Sequence, residues 1–339
     1  MNPMMLSRDR HRVLVECLAQ RTQSVAASTH FCLYGLKATA DGRVAPEDLV
    51  VVHDFTPDRI DNNIGHYVAS ELLPLLITTY ESQLVSATDY TWSEQEIFEH
   101  YVGEIVRSMD GNERRAWHLF YDNTLAALAR TPEAGDVHQD FIADFSAIYR
   151  RTIQLIDEMP RSVRQPLRVL DVATCFGFFP LLVARQSSTK PSVNIVGCDL
   201  NSALVSLAND YARFKRVQSV TFMVADILAS DIQAVLAPAP AFDVVTAIHL
   251  LEHLEPRQTQ QAIDNLWKIT ARRLIIAVPL EEIPDPRFGH RQTFDQKRLT
   301  AMGRKLGGRC RSFESHGAWI VIDRTSNQKP STEERTRYA

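Results

Sequence analysis

Three carboxylates and three histidines in the second half of the chain have the types and spacing to do chemistry. Asp171 closes the short apolar run Leu167–Val172, Asp199 follows Val193–Cys198, and Asp226 follows Val220–Val224. A carboxylate accepts hydrogen bonds from both hydroxyls of a ribose, so an acid at the carboxyl end of a second strand suits a nucleotide-like cofactor. Asp226 could accept a hydrogen bond from an adenine amino group, with Ile227 as the adjoining aliphatic surface, and Leu200 after Asp199 is a further cofactor-side candidate. Between the first run and the next helical segment, the turn Ala173–Gly177 would aim backbone amides at the cofactor from a helix amino terminus. Gly177 permits close backbone approach, whereas Ala173 and Cys175 stand where such turns usually carry glycine, and each Cβ resists a positive φ.

His249, His253 and His290 follow two further apolar runs, Phe242–Ile248 and Arg273–Val278. Histidine has an unperturbed pKa of about 6.5, which suits it to accept a proton from a weakly nucleophilic hydroxyl near neutral pH. His253 is the first candidate for that base, with His249 and His290 behind it, and His249 is also a cofactor-side candidate. Capping a helix or bonding a backbone carbonyl is the alternative role for each.

These residues need a scaffold, and the rhythm of the chain supplies one. From Leu167 onward, continuous apolar runs alternate with helical segments, the pattern of a parallel sheet covered on both faces. The runs Arg309–Phe313 and Ala318–Asp323 flank Glu314–Gly317 and read as a closing antiparallel pair. The expected fold is α/β, a doubly wound, mostly parallel seven-stranded sheet preceded by a mainly helical region.

The first part, 1–160, has a different texture. His30–Leu36 and Leu49–His53 flank the turn signal Ala40–Arg43, which suggests a small hairpin or an extended arm. Ser93 and Glu96 form a capping box, and Asn112–Arg130 is a second helix candidate, whose Trp117, Phe120 and Tyr121 read as core. Ile142, Phe145, Tyr149, Ile153 and Ile156 give Asp140–Asp157 one apolar face. The expected domains are 1–160, a lid and selectivity region; 161–324, the cofactor domain; and 325–339, a disordered polar tail.

Composition narrows the partners. A formal charge of -4 leaves no global basic field for a nucleic-acid backbone. The five cysteines are scattered without a Cys-x-x-Cys pair, which fits free thiols in a reducing cytoplasm and gives no reason to expect a bound metal. No apolar run is long enough to span a membrane.

In their order and spacing, the strand ending in Asp171, the turn at Gly177, the acids Asp199 and Asp226, and Phe242-Asp243-Val244-Val245 followed by Leu251-Glu252-His253-Leu254 resemble class I S-adenosylmethionine-dependent methyltransferases. The resemblance spans roughly 167–324 and implies S-adenosyl-L-methionine as cofactor. It implies that the Gly177 turn cradles the methionine moiety, Asp199 the ribose, and Asp226 with Ile227 the adenine. A narrower resemblance, to mycofactocin oligosaccharide methyltransferases, rests on Cys175-Phe176-Gly177-Phe178, His249–Leu254, Gly289–Asp295 and His316–Asp323. It implies O-methylation of a glucose hydroxyl on a small glycosylated acceptor. Two rivals remain at this level: a catalytically silent methyltransferase-like scaffold, and a nicotinamide-dependent oxidoreductase, which would normally want Gly-x-Gly-x-x-Gly. A nucleic-acid base methyltransferase is disfavoured, because Val278-Pro279-Leu280-Glu281 is unlike the clamp that holds a flipped base.

Overall fold

The computed structural model describes residues 4–22, 24–37, 48–83, 92–130, 141–160, 165–186, 193–232, 236 and 242–325. The expected turn at 40–43 and all but the first residue of the expected tail lie outside them. The chain divides into two compact units, one running to Asp144 and including Pro286–Gly289, the other containing Phe145–Asp285 and the chain from His290 onward.

The first unit holds more sheet than its sequence suggests. Strands β1 (Met4–Ser7), β2 (Ser24–Ala27), β3 (Phe31–Gly35) and β4 (Leu49–His53) form a four-stranded sheet in the order β1-β4-β3-β2. Strands β3 and β4 pair antiparallel, which is the hairpin and not the extended arm. Every residue of β4 is buried, so its apolar run needs a neighbour on both edges, and β1 supplies the second by pairing in parallel. A four-residue strand such as β1 is too short to announce itself by periodicity. The helix Glu94–Ser108 begins with the Ser93–Glu96 capping box, and Glu113–Ala129 begins at Asn112, whose side chain accepts from the Arg115 amide. Trp117, Phe120 and Tyr121 are core residues.

The second unit is built on a seven-stranded sheet. Its strands are β5 (Leu167–Val172), β6 (Val193–Asp199), β7 (Val220–Val224), β8 (Phe242–Ile248), β9 (Thr270–Val278), β10 (Arg309–Glu314) and β11 (Ala318–Asp323), in the order β10-β11-β9-β8-β5-β6-β7. Strands β5 to β9 pair in parallel, and β11 runs antiparallel to both β9 and β10. The chain moves outward from β5 through β6 to β7, then returns to β8 on the other side of β5. That reversal opens a crevice outside the carboxyl ends of β5 and β8, where such sheets bind ligands.

The division between units falls inside the helix Phe141–Asp157 instead of near 160. The far end of that helix is tied to the sheet by Arg273 on β9, a buried guanidinium that donates to the Leu155 carbonyl at 2.6 Å and to Glu158 at 3.0 Å. It also meets Asp323 on β11 through two hydrogen bonds of 2.6 and 3.1 Å. Pairing this completely is what makes a buried charge tolerable.

Candidate active site

Strand register places the first elements of the site. Asp171 lies opposite Gly197 on one neighbouring strand and Thr246 on the other. The Thr246 hydroxyl donates to Asp171 Oδ1 at 2.6 Å, and Thr174 in the turn donates to Oδ2 at 2.7 Å. Asp171 is 4 % exposed, and burial pushes its carboxyl up to about 7 despite these two donors, with Asp199 adding repulsion. Both of its oxygens are engaged by hydroxyls, so its side chain holds the turn in shape.

The turn itself is left-handed at alternate residues, with φ of 60° at Ala173, 51° at Cys175 and 73° at Gly177. The two side-chain-bearing residues adopt the backbone that glycine adopts freely, at a cost of about 1–2 kcal/mol each. Gly177 is held to its type by packing as well: a Cβ there would lie 2.4 Å from Phe222 Cε1. Gly197 faces the same ring, where an added Cβ would be 2.6 Å from Phe222 Cδ1. The Gly177 carbonyl accepts from Leu181 and so starts the helix Phe178–Gln186.

At the end of β6, Asp199 accepts from the Cys175 amide at 2.8 Å and from the Asn201 amide at 2.9 Å. This joins the ribose candidate directly to the turn. Leu200 beside it is 71 % exposed, an apolar side chain available to cover a ring. Asp226 accepts from the Leu228 amide at 2.8 Å, while Ile227 is packed into the core of the sheet. Tyr149, whose hydroxyl burial raises well above its ordinary pKa, is close enough to Asp171 and Cys175 to feel their charge.

The three histidines have separate environments. His249 is left-handed, with φ of 53°, and packs against Phe145. Burial pushes its imidazolium down to about 3, helped by His290 and His253, so it is neutral at physiological pH. His253 and His290 meet edge to face with ring centroids 4.9 Å apart. The Glu281 carboxylate holds His290 Nδ1 at 2.8 and 3.0 Å. Glu252, between His249 and His253 in sequence, is 1 % exposed. Burial pushes its carboxyl up to about 8.

Several of these residues escape a reading of the sequence. Thr246 becomes visible only through register, and Thr174 only through the folding of the turn back onto Asp171. Glu252 stands inside a motif the sequence does single out, yet its burial is a tertiary fact. Glu281 and Gln292 lie in stretches the sequence singles out, Val278–Glu281 and Gly289–Asp295, yet what they meet is a tertiary fact. Gln292 is buried and donates to the carbonyls of Leu251 and Leu254 at 3.0 and 2.7 Å, which fastens the His290 loop to the turn after β8.

A reversed, mostly parallel sheet with a strained turn after its first strand and an acid after its second is a Rossmann-like, doubly wound arrangement. Residues 169–272 match the family model described as "Methyltransferase domain". No curated protein matches the sequence. Among solved structures, an O-methyltransferase family protein from Burkholderia thailandensis is similar at 13% identity and a TM-score of 0.49, over 94% of this chain and 85% of that one. Magnesium protoporphyrin IX methyltransferase from Synechocystis PCC 6803 with bound SAM is similar at 14% identity and a TM-score of 0.43, over 60% of this chain and 91% of that one. Among the described residues, no helix is long and apolar enough to cross a membrane.

Proposed function

We propose that the protein is an S-adenosylmethionine-dependent O-methyltransferase acting on a hydroxyl of a small glycosylated acceptor. One observation carries the reading: the Asp199 carboxylate meets the amide of left-handed Cys175 at the carboxyl ends of β5 and β6, across the switch point from the histidine pair after β8 and β9. In this reading Asp199 exchanges its amide contacts for the ribose hydroxyls. The turn from Ala173 to Gly177, shaped by Asp171, receives the methionine portion, and Leu200, Asp226 and Ile227 border the adenine. When bound, S-adenosylmethionine would supply an electrophilic methyl on sulfur to the acceptor oxygen, the C–S electron pair remaining on sulfur, and the hydroxyl proton would leave on the acceptor side. His253 and His290 stand there, whereas His249, neutral and shielded, supports the wall behind them. Holding the two reactants in line can supply roughly 7–11 kcal/mol of barrier reduction.

The resemblance of Cys175–Phe178 and His316–Asp323 to mycofactocin oligosaccharide methyltransferases supports a glucose hydroxyl as the acceptor. The test combines calorimetric titration of S-adenosylmethionine with mass spectrometry of glycosylated acceptors incubated with enzyme and labelled methyl donor. Label on a sugar oxygen is expected. Asp199→Ala should lose cofactor affinity, and His253→Ala should lose turnover while keeping it. Cofactor binding untouched by Asp199→Ala would refute the site, and label appearing only on nitrogen or carbon would refute O-methylation.

A further inference from the structure

Glu252 is a buried carboxylate with neither oxygen in a hydrogen bond. Its nearest ion-pairing group is His249 Nδ1 at 3.7 Å, beyond hydrogen-bond distance. A buried carboxylate is tolerated when it is paired, hydrogen-bonded or bound to a metal. Its surroundings offer the third arrangement: one donor atom each from Glu252, His253 and His290 lie within 4.8 Å of one another.

Two further features make this a built site. The Glu281 carboxylate accepts from His290 Nδ1, which directs that ring's lone pair to Nε2. A carboxylate behind a ligating histidine fixes its tautomer and raises its basicity, and it recurs around protein metal ions. The loop carrying His290 is also fastened to the turn carrying Glu252 and His253. The Arg291 amide donates to the Glu252 carbonyl at 2.8 Å, and Gln292 spans Leu251 and Leu254. The donors are therefore held together across nearly forty residues of intervening chain.

We propose that Glu252, His253 and His290 bind a divalent first-row transition-metal ion, with Glu281 as the positioning residue for His290. Two imidazoles and one carboxylate suit such an ion and leave coordination positions open. The scattered cysteines, which gave no reason to expect a metal, contribute none of these donors. Donors at about 2.1 Å from an ion stand about 3–4 Å apart, so closing on it takes side-chain shifts of about 1 Å. The catalytic role rests on the O-methyltransferase reading. An acceptor hydroxyl at an open position would become more acidic and release its proton to solvent water. Its oxygen electrons would then form the C–O bond as the C–S electron pair departs on sulfur.

The test uses the full chain stripped with EDTA and titrated calorimetrically with MnCl2 or ZnCl2. One equivalent of at least one ion should bind. Glu252→Gln, nearly isosteric, should abolish saturable binding, and Glu281→Gln should weaken it 10- to 100-fold. Thermal melts establish that each variant is folded. Absence of saturable uptake by the stripped protein, or wild-type affinity in both variants, overturns the site. Titration of S-adenosylmethionine into the same stripped protein separates this proposal from the functional one. Cofactor binding without metal uptake defeats the metal site alone, whereas metal uptake without cofactor binding defeats the methyltransferase reading alone.

Discussion

Replacing Cys175 by glycine should make the protein more stable, although it removes a side chain. Cys175 has a φ of 51°, which costs an L-residue about 1–2 kcal/mol relative to right-handed backbone. Glycine escapes that cost but gives up about 0.5–1 kcal/mol more conformational entropy on folding. The thiol is exposed, so little burial is lost, and the net expectation is a gain centred on about 0.7 kcal/mol within a span of about 0–1.5 kcal/mol. For a unit of this size the central value is a rise in Tm of about 1–3 °C, readable by scanning calorimetry. Ala173, at φ 60°, provides an internal comparison because its methyl packs partly against the core of the sheet. Losing about half of a buried methyl, roughly 0.4 kcal/mol, cancels most of the gain, so Ala173→Gly should be close to neutral. Ala301, exposed in the helix Gln296–Arg304, should show the opposite sign, with Ala301→Gly losing up to about 1 kcal/mol. A lower Tm for Cys175→Gly than for the wild type would refute the strain at this position.

Gly177→Ala combines a φ of 73° with a Cβ placed 2.4 Å from Phe222 Cε1, and should cost about 2–5 kcal/mol in denaturant melts together with most cofactor affinity. Thr246→Val deprives Asp171 Oδ1 of its donor and should cost about 1–3 kcal/mol in the same melts, while Thr246→Ser should be much milder. Because burial holds the Asp171 carboxyl up near 7, its contribution to stability falls as pH rises from about 4 toward 7, and the Thr246→Val deficit should be larger at pH 8 than at pH 5. In the first unit, burial pushes His53 down to about 3, with His11 adding repulsion. The unfolded chain takes up that proton below about 6.5 and the folded chain does not, so stability should fall by about 2 kcal/mol between pH 7 and 5. His53→Gln should flatten that slope, measured by denaturant melts across the pH range.

The strands of the second unit are legible because each is a continuous apolar run between polar segments. Leu167–Val172, Val220–Val224, Phe242–Ile248 and Ala318–Asp323 form with the limits their sequence implies. The capping box at Ser93 and the asparagine cap at Asn112 are legible for a related reason, since both are contacts within one turn of helix. Non-local pairing is different. The edge strand Met4–Ser7 carries too little pattern to be read, and the helix Phe141–Asp157 divides between units through contacts such as Arg273 to Leu155. Residue types likewise mark Asp171, Asp199 and the histidines as chemically able without saying what surrounds them.

The order of apolar runs, turn and acids along the chain was enough to define a doubly wound sheet and the end of it where chemistry belongs. What each acid and histidine meets there was decided by strand register and loop docking. Register sets Thr246 against Asp171 and buries both. The docking of the loop after β9 onto the turn after β8 brings His290 to His253 and Glu252, with Glu281 behind it. Local pattern is written in neighbouring residues, whereas burial, donor spacing and the resulting pKa shifts depend on groups that only the folded sheet brings together.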